Sequence, residues 1–348
     1  MDKPVVATVF GTRPEIIKMA PLIPLLDSSF NNTFIFTSQH YSANMVKIFF
    51  KELDLRMPDQ FLNVQSSDYN ELQQATEKAL IPLNPDYVIV YGDTNSTLAI
   101  ARATKKLKKK LIHMEAGLRS YDPHMPEEYN RIETDRLSDY LFAPTELCRR
   151  QLAKEGLRKN VFVVGNLIVD ACRRFAPRAP RRDPCILVTV HRQENVDNPK
   201  KLVEILQSLN NLNEPIVFPA HPRTQKRIKE QSLKIPSNVR FMDAIGYIEF
   251  LGYLKSAKLV ITDAGGVQEE AITLNVPCLT IRGGNERWEA IREGGNFLVG
   301  TEPALIEAYT RQILEGDLGE KMRKAKNPYG ENVAQKTIQI LQKELRSS

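Results

Sequence analysis

The stretch Val5-Val-Ala-Thr-Val-Phe-Gly-Thr-Arg-Pro-Glu-Ile-Ile-Lys18 contains the pattern that decides the fold. Its apolar run, Val5–Phe10, predicts a buried strand, the following glycine permits a tight turn, and Pro14 suits the first turn of a helix. Arg13 and Lys18 bracket the N-terminus of that helix, where backbone N–H groups already favour an anion. The sequence therefore predicts either a phosphate-binding turn or an ordinary strand-to-helix turn with surface charges.

Strand and helix signals alternate from this stretch to the end of the chain, which is typical of parallel sheets covered by helices on both faces. Helical spacing is found at Pro14–Leu26, Tyr69–Leu80 and Thr94–Leu107. The predicted strands of the first half are Val5–Phe10, Thr33–Thr37, Tyr87–Tyr91, Leu111–Met114, Tyr140–Ala143 and Val161–Val164. The predicted strands of the second half are Cys185–Val190, Ile216–Phe218, Val239–Phe241, Leu259–Thr262, Cys278–Ile281 and Phe297–Val299.

The chain has 348 residues, more than the ~100–200 of a typical domain, so we expect two domains. Between the halves, Arg173–Pro184 contains three prolines and five arginines and is interpreted as a linker. We predict an α/β protein with two doubly wound, Rossmann-like domains, 1–170 and 184–320. Their sheets are expected to face each other across a cleft that holds the active site, with a last helix at 332–346 as a candidate to pack back on the first domain.

Composition excludes several classes of protein. No apolar run approaches the ~20 residues that span a bilayer, and the N-terminus lacks a signal-peptide pattern, so we predict a cytoplasmic protein without a membrane partner. The four cysteines are widely spaced and no HExxH motif is present, which predicts neither a disulfide framework nor a bound metal. The net charge of +6 comes with no nucleic-acid-binding motif, so no nucleic-acid partner is expected, and Lys105–Lys110 is interpreted as a solvated helix end.

Three carboxylates in the first half are candidates for proton transfer. Asp93 follows one predicted strand and Glu115 follows the next, while Glu127 opens the helix after them. Because parallel strands end at one sheet edge, these groups should converge, with Arg119 and Arg131 nearby to tune their charge. The alternatives are a helix cap for Asp93 and a structural ion-pair network for the whole set.

In the second half, His191 follows a predicted strand and should face the ligand or satisfy a loop carbonyl. The segment Thr262-Asp-Ala-Gly-Gly-Val-Gln-Glu-Glu270 ends a strand, offers two glycines for close backbone approach and begins a helix. This predicts a diphosphate cradle at a helix N-terminus, in which Glu269 and Glu270 could accept hydrogen bonds from ribose hydroxyls.

Together these motifs resemble the non-hydrolysing UDP-N-acetylglucosamine 2-epimerases, which have the two-domain GT-B fold. The resemblance runs from Val5 to about Gly300 and includes, in order, GDT, EAGLR, PEExNR, the GN of Gly165-Asn166, HRxEN, the HP of His221-Pro222, DxGGxQEE and the ERxEAI of Glu286–Ile291. It implies interconversion of UDP-GlcNAc and UDP-ManNAc without a separate cofactor, by a protein that is usually a homodimer.

The resemblance also implies roles for individual residues. The catalytic residues would be Asp93, Glu115, Glu127 and His191. The substrate-binding residues would be Arg13, Lys18, Arg119, Arg131, Asn166, Arg192, Glu194, His221, Gly265, Gly266, Gln268, Glu269, Glu270, Glu286 and Arg287. In bacterial members, a region that corresponds to Ser38–Met45 helps to form a second, activating substrate site with the HP histidine, so Gln39 and His40 are candidate regulatory residues.

The sequence departs from the family pattern at three places. Ala264 replaces the usual serine before Gly-Gly, Arg282–Trp288 replaces a Thr-Thr-Glu-Arg-Pro pattern, and the chain differs after Gln39-His40. Two other functions stay open. One is a 2-epimerase of a UDP-2,3-diacetamido-sugar uronate. The pair Leu118-Arg119 in this chain favours UDP-GlcNAc over that substrate. The other is a GT-B glycosyltransferase, which would not need three carboxylates for C2 proton exchange.

Overall fold

The structure is a computed structural model that describes residues 3–37, 43–64 and 66–346, except for the side chains of 43–47 and 346. The chain forms two compact units. The first contains the residues up to Ala171 together with those from Tyr329 onward, and the second contains Cys172–Pro328. Each unit has its own parallel sheet with helices, so the predicted α/β class with two doubly wound sheets is confirmed.

The sheet of the first unit has the order β3-β2-β1-β4-β5-β6-β7 in the described part of the chain, and its neighbouring strands are parallel. Its strands are β1 (Val5–Phe10), β2 (Asn31–Phe36), β3 (Gln60–Phe61), β4 (Tyr87–Tyr91), β5 (Lys110–Met114), β6 (Tyr140–Ala143) and β7 (Val161–Val163). Its helices are α1 (Arg13–Met19), α2 (Ile23–Ser29), α3 (Ala43–Glu52), α4 (Tyr69–Leu83), α5 (Asn95–Lys106), α6 (Pro126–Leu137), α7 (Glu146–Lys154), the start of α8 (Leu167–Phe175) and α17 (Val333–Arg346).

The sheet of the second unit has the order β10-β9-β8-β11-β12-β13, again with parallel neighbours. Its strands are β8 (Ile186–Thr189), β9 (Ile216–Ala220), β10 (Val239–Asp243), β11 (Leu259–Thr262), β12 (Cys278–Thr280) and β13 (Asn296–Leu298). Its helices are α9 (Gln193–Val196), α10 (Pro199–Asn210), α11 (Pro222–Glu230), α12 (Tyr247–Ser256), α13 (Gly265–Thr273), α14 (Trp288–Arg292), α15 (Pro303–Glu315) and α16 (Leu318–Arg323).

In both sheets the strand order reverses beside the first strand, between β1 and β4 and between β8 and β11. The central strands are buried on both faces, and all five residues of β4 are inaccessible to solvent or nearly so. Burial on both faces explains why these strands are continuous apolar runs in the sequence. Ligands of doubly wound sheets bind at the carboxyl ends of the strands beside such a reversal, so each unit has one defined place for a site.

One predicted helix, Pro14–Leu26, is wrong, because the structure divides it into α1 and α2. Pro21 and Pro24 lack the N–H groups that a continuous helix would bond to the carbonyls four residues earlier. The short strand β3 had no prediction, since its two residues pair with β2 at the edge of the sheet and carry no apolar run.

The interpretation of Arg173–Pro184 as an unstructured linker is also wrong in its first part. Helix α8 continues to Phe175, and a short 3₁₀ helix, Ala176–Arg178, follows it. The Lys255 Nζ of α12 donates to the carbonyl oxygens of Ala176 and Ala179, at 3.1 and 2.7 Å. The Ala176 oxygen also accepts from the Ala179 N–H at 3.2 Å. The ammonium group therefore joins both ends of the 3₁₀ helix to α12 and orders the segment.

The C-terminal helix α17 belongs to the first unit. The backbone N–H of Ala334, in its first turn, donates to the Asp170 carboxylate at 2.7 Å, and Gln342 donates to Ser29 of α2 at 2.9 Å. The N–H of Asn166 donates to the carbonyl oxygen of Tyr329 at 2.9 Å, just before this helix. The returning chain is therefore fixed to the loop after β7 as well as to α2.

No helix among the described residues is long and apolar enough to cross a membrane.

We predict that Gly165→Ala destabilises the first unit more than Gly156→Ala. Both glycines have a left-handed backbone, with φ of 105° and 86°, which costs a residue with a side chain about 1–2 kcal/mol. A Cβ at Gly165 would lie 2.5 Å from the Tyr329 oxygen, whereas a Cβ at Gly156 would meet nothing within 4 Å. Scanning calorimetry of both variants measures the difference, and equal falls in Tm would contradict it.

Candidate functional site

In the first unit, Glu115 follows β5 and has the left-handed backbone conformation, with φ of 72°. Its N–H and the next one both donate to the Phe142 carbonyl oxygen at 3.0 Å, which holds the strained residue in place. Its buried carboxylate oxygen Oε1 accepts from Lys18 Nζ at 2.6 Å and from Asn166 Nδ2 at 2.7 Å. Three predicted site residues thus meet at one oxygen, contributed by α1, β5 and the loop before α8.

Tyr91, at the end of β4, completes this cluster. Its hydroxyl donates to Asn166 Oδ1 at 3.1 Å, which fixes the amide so that its NH₂ group faces Glu115. Lys18 Nζ lies 5.1 Å from the centre of the Tyr91 ring, within the range of a cation–π contact. The side chains of Lys18 and Glu115 are only 10% and 4% exposed, so the ion pair is shielded from water.

The second carboxylate, Asp93, lies on the neighbouring strand end and is bound by Arg131 of α6. Arg131 donates to Asp93 Oδ2 from Nε at 2.9 Å and from Nη2 at 2.6 Å. The same guanidinium donates to Glu128 at 2.8 Å, and Glu128 in turn accepts from the N–H groups of Ser120 and Tyr121. Asp93 is 27% exposed at its side chain and therefore remains accessible from one side.

Glu127 lies in the first turn of α6, half-buried, one residue before Glu128. It is thus on the helix that positions Asp93 through Arg131. Arg13, in the first turn of α1, has its guanidinium 4.6 Å from the centre of the Phe49 ring.

A residue without a predicted role, Glu15, orders the loop after β1. Its carboxylate accepts from the N–H groups of Gly11 and Thr12, at 2.8 and 2.7 Å, and from the Thr94 hydroxyl at 3.0 Å. Burial raises the pKa of Glu15 above its usual value, although these hydrogen bonds oppose the shift. The residue ties the loop after β1 to the loop after β4, on the two sides of the strand reversal.

Arg119 is buried in a different network behind the strand ends, which reaches the surface at Glu155. It donates to Asp135 at 2.8 Å and to Glu155 at 2.7 and 2.8 Å. Asp135 also contacts His113 Nδ1 at 2.7 Å, and His113 Nε2 lies 2.8 Å from the Gly92 carbonyl oxygen. Burial pushes the pKa of Asp135 upward, but His113 and Arg119 outweigh it and hold the pKa below its usual value. This network supports the loop that carries Asp93 rather than presenting Arg119 to solvent.

In the second unit, the fully buried Asp263 organises the loop after β8. Its carboxylate accepts from the N–H groups of His191 and Arg192, at 3.1 and 2.9 Å, and from Asn195 Nδ2 at 3.0 Å. Asn195 also donates to the Ile281 carbonyl at 2.9 Å and so connects this loop to the end of β12. Asp263 had no predicted role, yet it ends a strand as Asp93 does, and the same rule would have found it.

His191 lies beside this carboxylate, with Nδ1 3.5 Å from Asp263 Oδ1. Partial burial lowers the pKa of His191 below its usual value; Asp263 opposes the shift, and Arg192 adds to it. The imidazole is therefore neutral at pH 7, able to donate a hydrogen bond to an anion from one nitrogen. His221, the N-cap of α11, has its ring centre 5.6 Å from that of His191.

Two arginines and two glutamates form a further group of ion pairs in the second unit. Arg282 Nη1 donates to Glu286 at 2.8 Å, and Arg282 Nε lies 3.4 Å from Glu194. Arg192 Nη2 lies 3.7 Å from the other oxygen of Glu286. Arg282 is fully buried and had no predicted role, although it begins the segment that departs from the family pattern.

Helix α13 begins at Gly265 with no side-chain cap, and the first N–H groups of a helix favour an anion. A Cβ at Gly265 would lie 2.8 Å from Glu286 Oε1, whereas Gly266 faces open space. Arg287 Nε lies 2.6 Å from Glu269 Oε1, and Glu270 is buried on the same helix. The N-terminus of α13 thus has an arginine beside it and room for an anion.

The amide of Gln268, predicted to bind substrate, lies in a buried network instead of at the surface. Its Oε1 accepts from Asn285 at 2.8 Å and from Asn296 at 2.9 Å. Asn285 in turn accepts from the Arg287 N–H at 3.1 Å, so the network holds the loop before α14 against α13.

The candidate regulatory residues Gln39 and His40 lie outside the described residues. Among the residues that the structure describes, no group of three or more His, Cys, Asp or Glu side chains could hold a metal ion.

Comparisons with known proteins show to which family the chain is similar. The sequence profile of the UDP-N-acetylglucosamine 2-epimerase family matches residues 26–342. A UDP-N-acetylglucosamine 2-epimerase from Methanocaldococcus jannaschii is 44% identical over 350 residues, which cover 92% of this chain and 94% of the relative. A UDP-2,3-diacetamido-2,3-dideoxy-D-glucuronate 2-epimerase from Pseudomonas aeruginosa is 37% identical, with 89% of this chain and 92% of the relative covered.

Among solved structures, the crystal structure of the Methanocaldococcus jannaschii UDP-GlcNAc 2-epimerase in complex with UDP-GlcNAc and UDP is similar to this chain. The TM-score is 0.89 at 41% sequence identity, and the match covers 97% of this chain and 99% of that one.

We predict that Lys18→Met destabilises the first unit by roughly 3–5 kcal/mol, because it leaves the buried Glu115 carboxylate without its cation. The double variant Lys18→Met/Glu115→Gln should recover part of this loss, since the buried charge is then gone as well. Urea unfolding of Lys18→Met, Glu115→Gln and the double variant measures the coupling.

Lys106→Met is the matched control, because Lys106 pairs with Glu77 at 2.8 Å in the same unit but is 63% exposed. It should change stability by less than ~1 kcal/mol. Equal decreases in the free energy of unfolding for Lys18→Met and Lys106→Met would show that the buried pair contributes no more to stability than the exposed pair.

Proposed function

Because this chain belongs to the UDP-N-acetylglucosamine 2-epimerase family, we propose that it interconverts UDP-N-acetylglucosamine and UDP-N-acetylmannosamine by inverting C2 of the sugar. The observation that carries the proposal is the pair of carboxylates at neighbouring strand ends. Glu115 is bound to Lys18, and Asp93 is bound to Arg131. Inversion of a C–H centre needs a proton acceptor on one face and a proton donor on the other, and two differently held carboxylates can supply both.

The proposed reaction begins with removal of the C2 proton by one carboxylate while the C1–O bond to UDP breaks. The electron pair of the C–H bond forms the C1=C2 double bond of 2-acetamidoglucal, and UDP leaves with the bonding pair of the C1–O bond. In the return step a proton is added to the opposite face of C2 and a UDP oxygen bonds again to C1. We assign the proton transfers to Asp93, Glu115 and Glu127 as a group.

The second unit contributes the groups that stabilise the departing UDP in this proposal. The first N–H groups of α13, at Gly265 and Gly266, and the Arg287 guanidinium suit a diphosphate. His191, neutral at pH 7 through its lowered pKa, donates a hydrogen bond to the same leaving group. The groups that stabilise UDP as the leaving group also hold it as the nucleophile of the return step.

A UDP-2,3-diacetamido-sugar uronate is the second candidate substrate, favoured by the 37% identity to the Pseudomonas aeruginosa enzyme. The Leu118-Arg119 pair, which the sequence offered as a discriminator, does not decide between the two. Leu118 is buried in an apolar cluster and Arg119 in the Asp135 network, so both residues serve packing. The assay must therefore include both sugars. A cytoplasmic location and a homodimer remain predictions.

Proton NMR in D₂O tests the function directly. With UDP-GlcNAc as substrate we expect UDP-ManNAc to accumulate with deuterium at C2 and with little free UDP. Glu115→Gln and Asp93→Asn should each reduce this exchange by at least ~10²-fold, since each removes one proton-transfer group. Glu146→Gln, an exposed carboxylate of α7 paired with Arg149, is the control and should keep full exchange. Intact UDP-GlcNAc without deuterium would overturn the proposal, and turnover of the diacetamido-uronate alone would select the second candidate.

Binding of UDP has its own reporter, because Trp288 is the only tryptophan in the sequence. It is 39% exposed and follows Arg287 directly, so we expect UDP to change its fluorescence. Arg287→Gln should weaken UDP binding by at least ~10-fold through the loss of a charged hydrogen bond. UDP that binds by equilibrium dialysis but leaves the emission unchanged would contradict the placement of the diphosphate near α14.

A further inference from the structure

A small cavity lies beside Glu115 in the first unit. Its volume of about 10 Å³ corresponds to one water molecule. The residues that line it come from the ends of β4, β5 and β6, the loop before α8, and the C-terminal helix α17; they are Tyr91, Met114, Glu115, Phe142, Val164, Gly165, Leu167, Val333 and Thr337. The helix that returns from the end of the chain thus closes a space next to a candidate proton-transfer group.

Thr337 is the polar side chain that α17 brings to this cavity. It is fully buried, and its hydroxyl has no hydrogen-bond partner among the described residues. A buried hydroxyl in that state is destabilising, so a partner in the adjoining cavity would relieve the penalty. Buried water molecules commonly have this role.

The other polar groups of the cavity suit a water molecule. Glu115 can accept about four hydrogen bonds, and its Oε1 takes two of them from Lys18 and Asn166. Tyr91, whose hydroxyl donates to Asn166, also lines the cavity. A water molecule needs two to four polar partners, and the Thr337 hydroxyl and the Glu115 carboxylate meet that need.

We propose that Thr337 is a positioning residue whose hydroxyl holds one water molecule against the Glu115 carboxylate. This water hydrates the carboxylate and stabilises its ionised form. Thr337 therefore acts on the reaction through Glu115 without contacting the sugar. The inference rests on the proposed function, because it concerns the proton affinity of a group that the proposed reaction uses.

The charged and titratable groups around Glu115 are Lys18 of α1, Tyr91 of β4, and the Asp93–Arg131 pair one residue beyond Gly92. A substitution at Thr337 changes none of them. A change in the pH dependence of such a variant therefore reports on the water and not on a lost charge.

The test compares Thr337→Val with Thr337→Ser. Valine keeps the shape but lacks the hydroxyl, so the acidic limb of the kcat profile should move to higher pH by roughly half a pH unit or more, with KM unchanged. Serine should keep the wild-type profile. The Tm of Thr337→Val should change little, because valine keeps the shape while the hydroxyl and the water that bonds to it are lost together. An unmoved pH profile, whatever the Tm, would indicate that the hydroxyl does not act on Glu115 and would overturn the inference.

High-resolution crystal structures of wild type and Thr337→Val give a readout that does not depend on turnover. We expect electron density for a water molecule within hydrogen-bond distance of Thr337 Oγ1 and Glu115 in the wild type, and its loss in the valine variant. A dry cavity in the wild type would overturn the inference even if epimerisation is found. Conversely, density for this water in a protein that epimerises neither sugar would contradict the proposed function alone.

Discussion

The buried ion pair between Lys18 and Glu115 is the interaction on which the first unit depends. Removing a carboxylate and an ammonium group from water costs several kcal/mol per ion, so the pair persists only with close contact and further hydrogen bonds. The 2.6 Å contact and the Asn166 amide provide both. The strained backbone of Glu115, held by Phe142, shows how tightly the position of this carboxylate is determined.

Both units use a buried carboxylate to fix the loop after their first strand. In each one, a carboxylate accepts backbone N–H groups of the loop that follows the first strand beside the reversal of strand order. Glu15 does this for Gly11 and Thr12, and Asp263 does it for His191 and Arg192. These buried acids fix the loops beside each reversal of strand order, where doubly wound sheets bind their ligands.

The sequence predicted most of the sheet architecture, because strands such as Tyr87–Tyr91 are buried on both faces and carry an unbroken apolar run. It placed Asp93, Glu115 and His191 at strand ends by the same logic. It could not place Thr337 or show that Arg119 is engaged by Asp135 and Glu155, because these contacts join segments far apart in the chain. Local chemistry misled it at Pro14–Leu26, where two prolines outweigh the helical spacing, and at Arg173–Pro184, where a helix continues to Phe175 despite the prolines that follow.

The return of the chain to the first unit has a consequence for biosynthesis. The second unit is one continuous segment, whereas the first unit needs the residues from Tyr329 onward. On the ribosome, the first unit therefore stays incomplete until the end of the chain is synthesised, whereas the second unit can fold before that. Until α17 emerges, the apolar surface that it covers is exposed to chaperones and proteases. A premature stop codon near the end of the message would thus leave the first unit without α17 and leave the second unit complete.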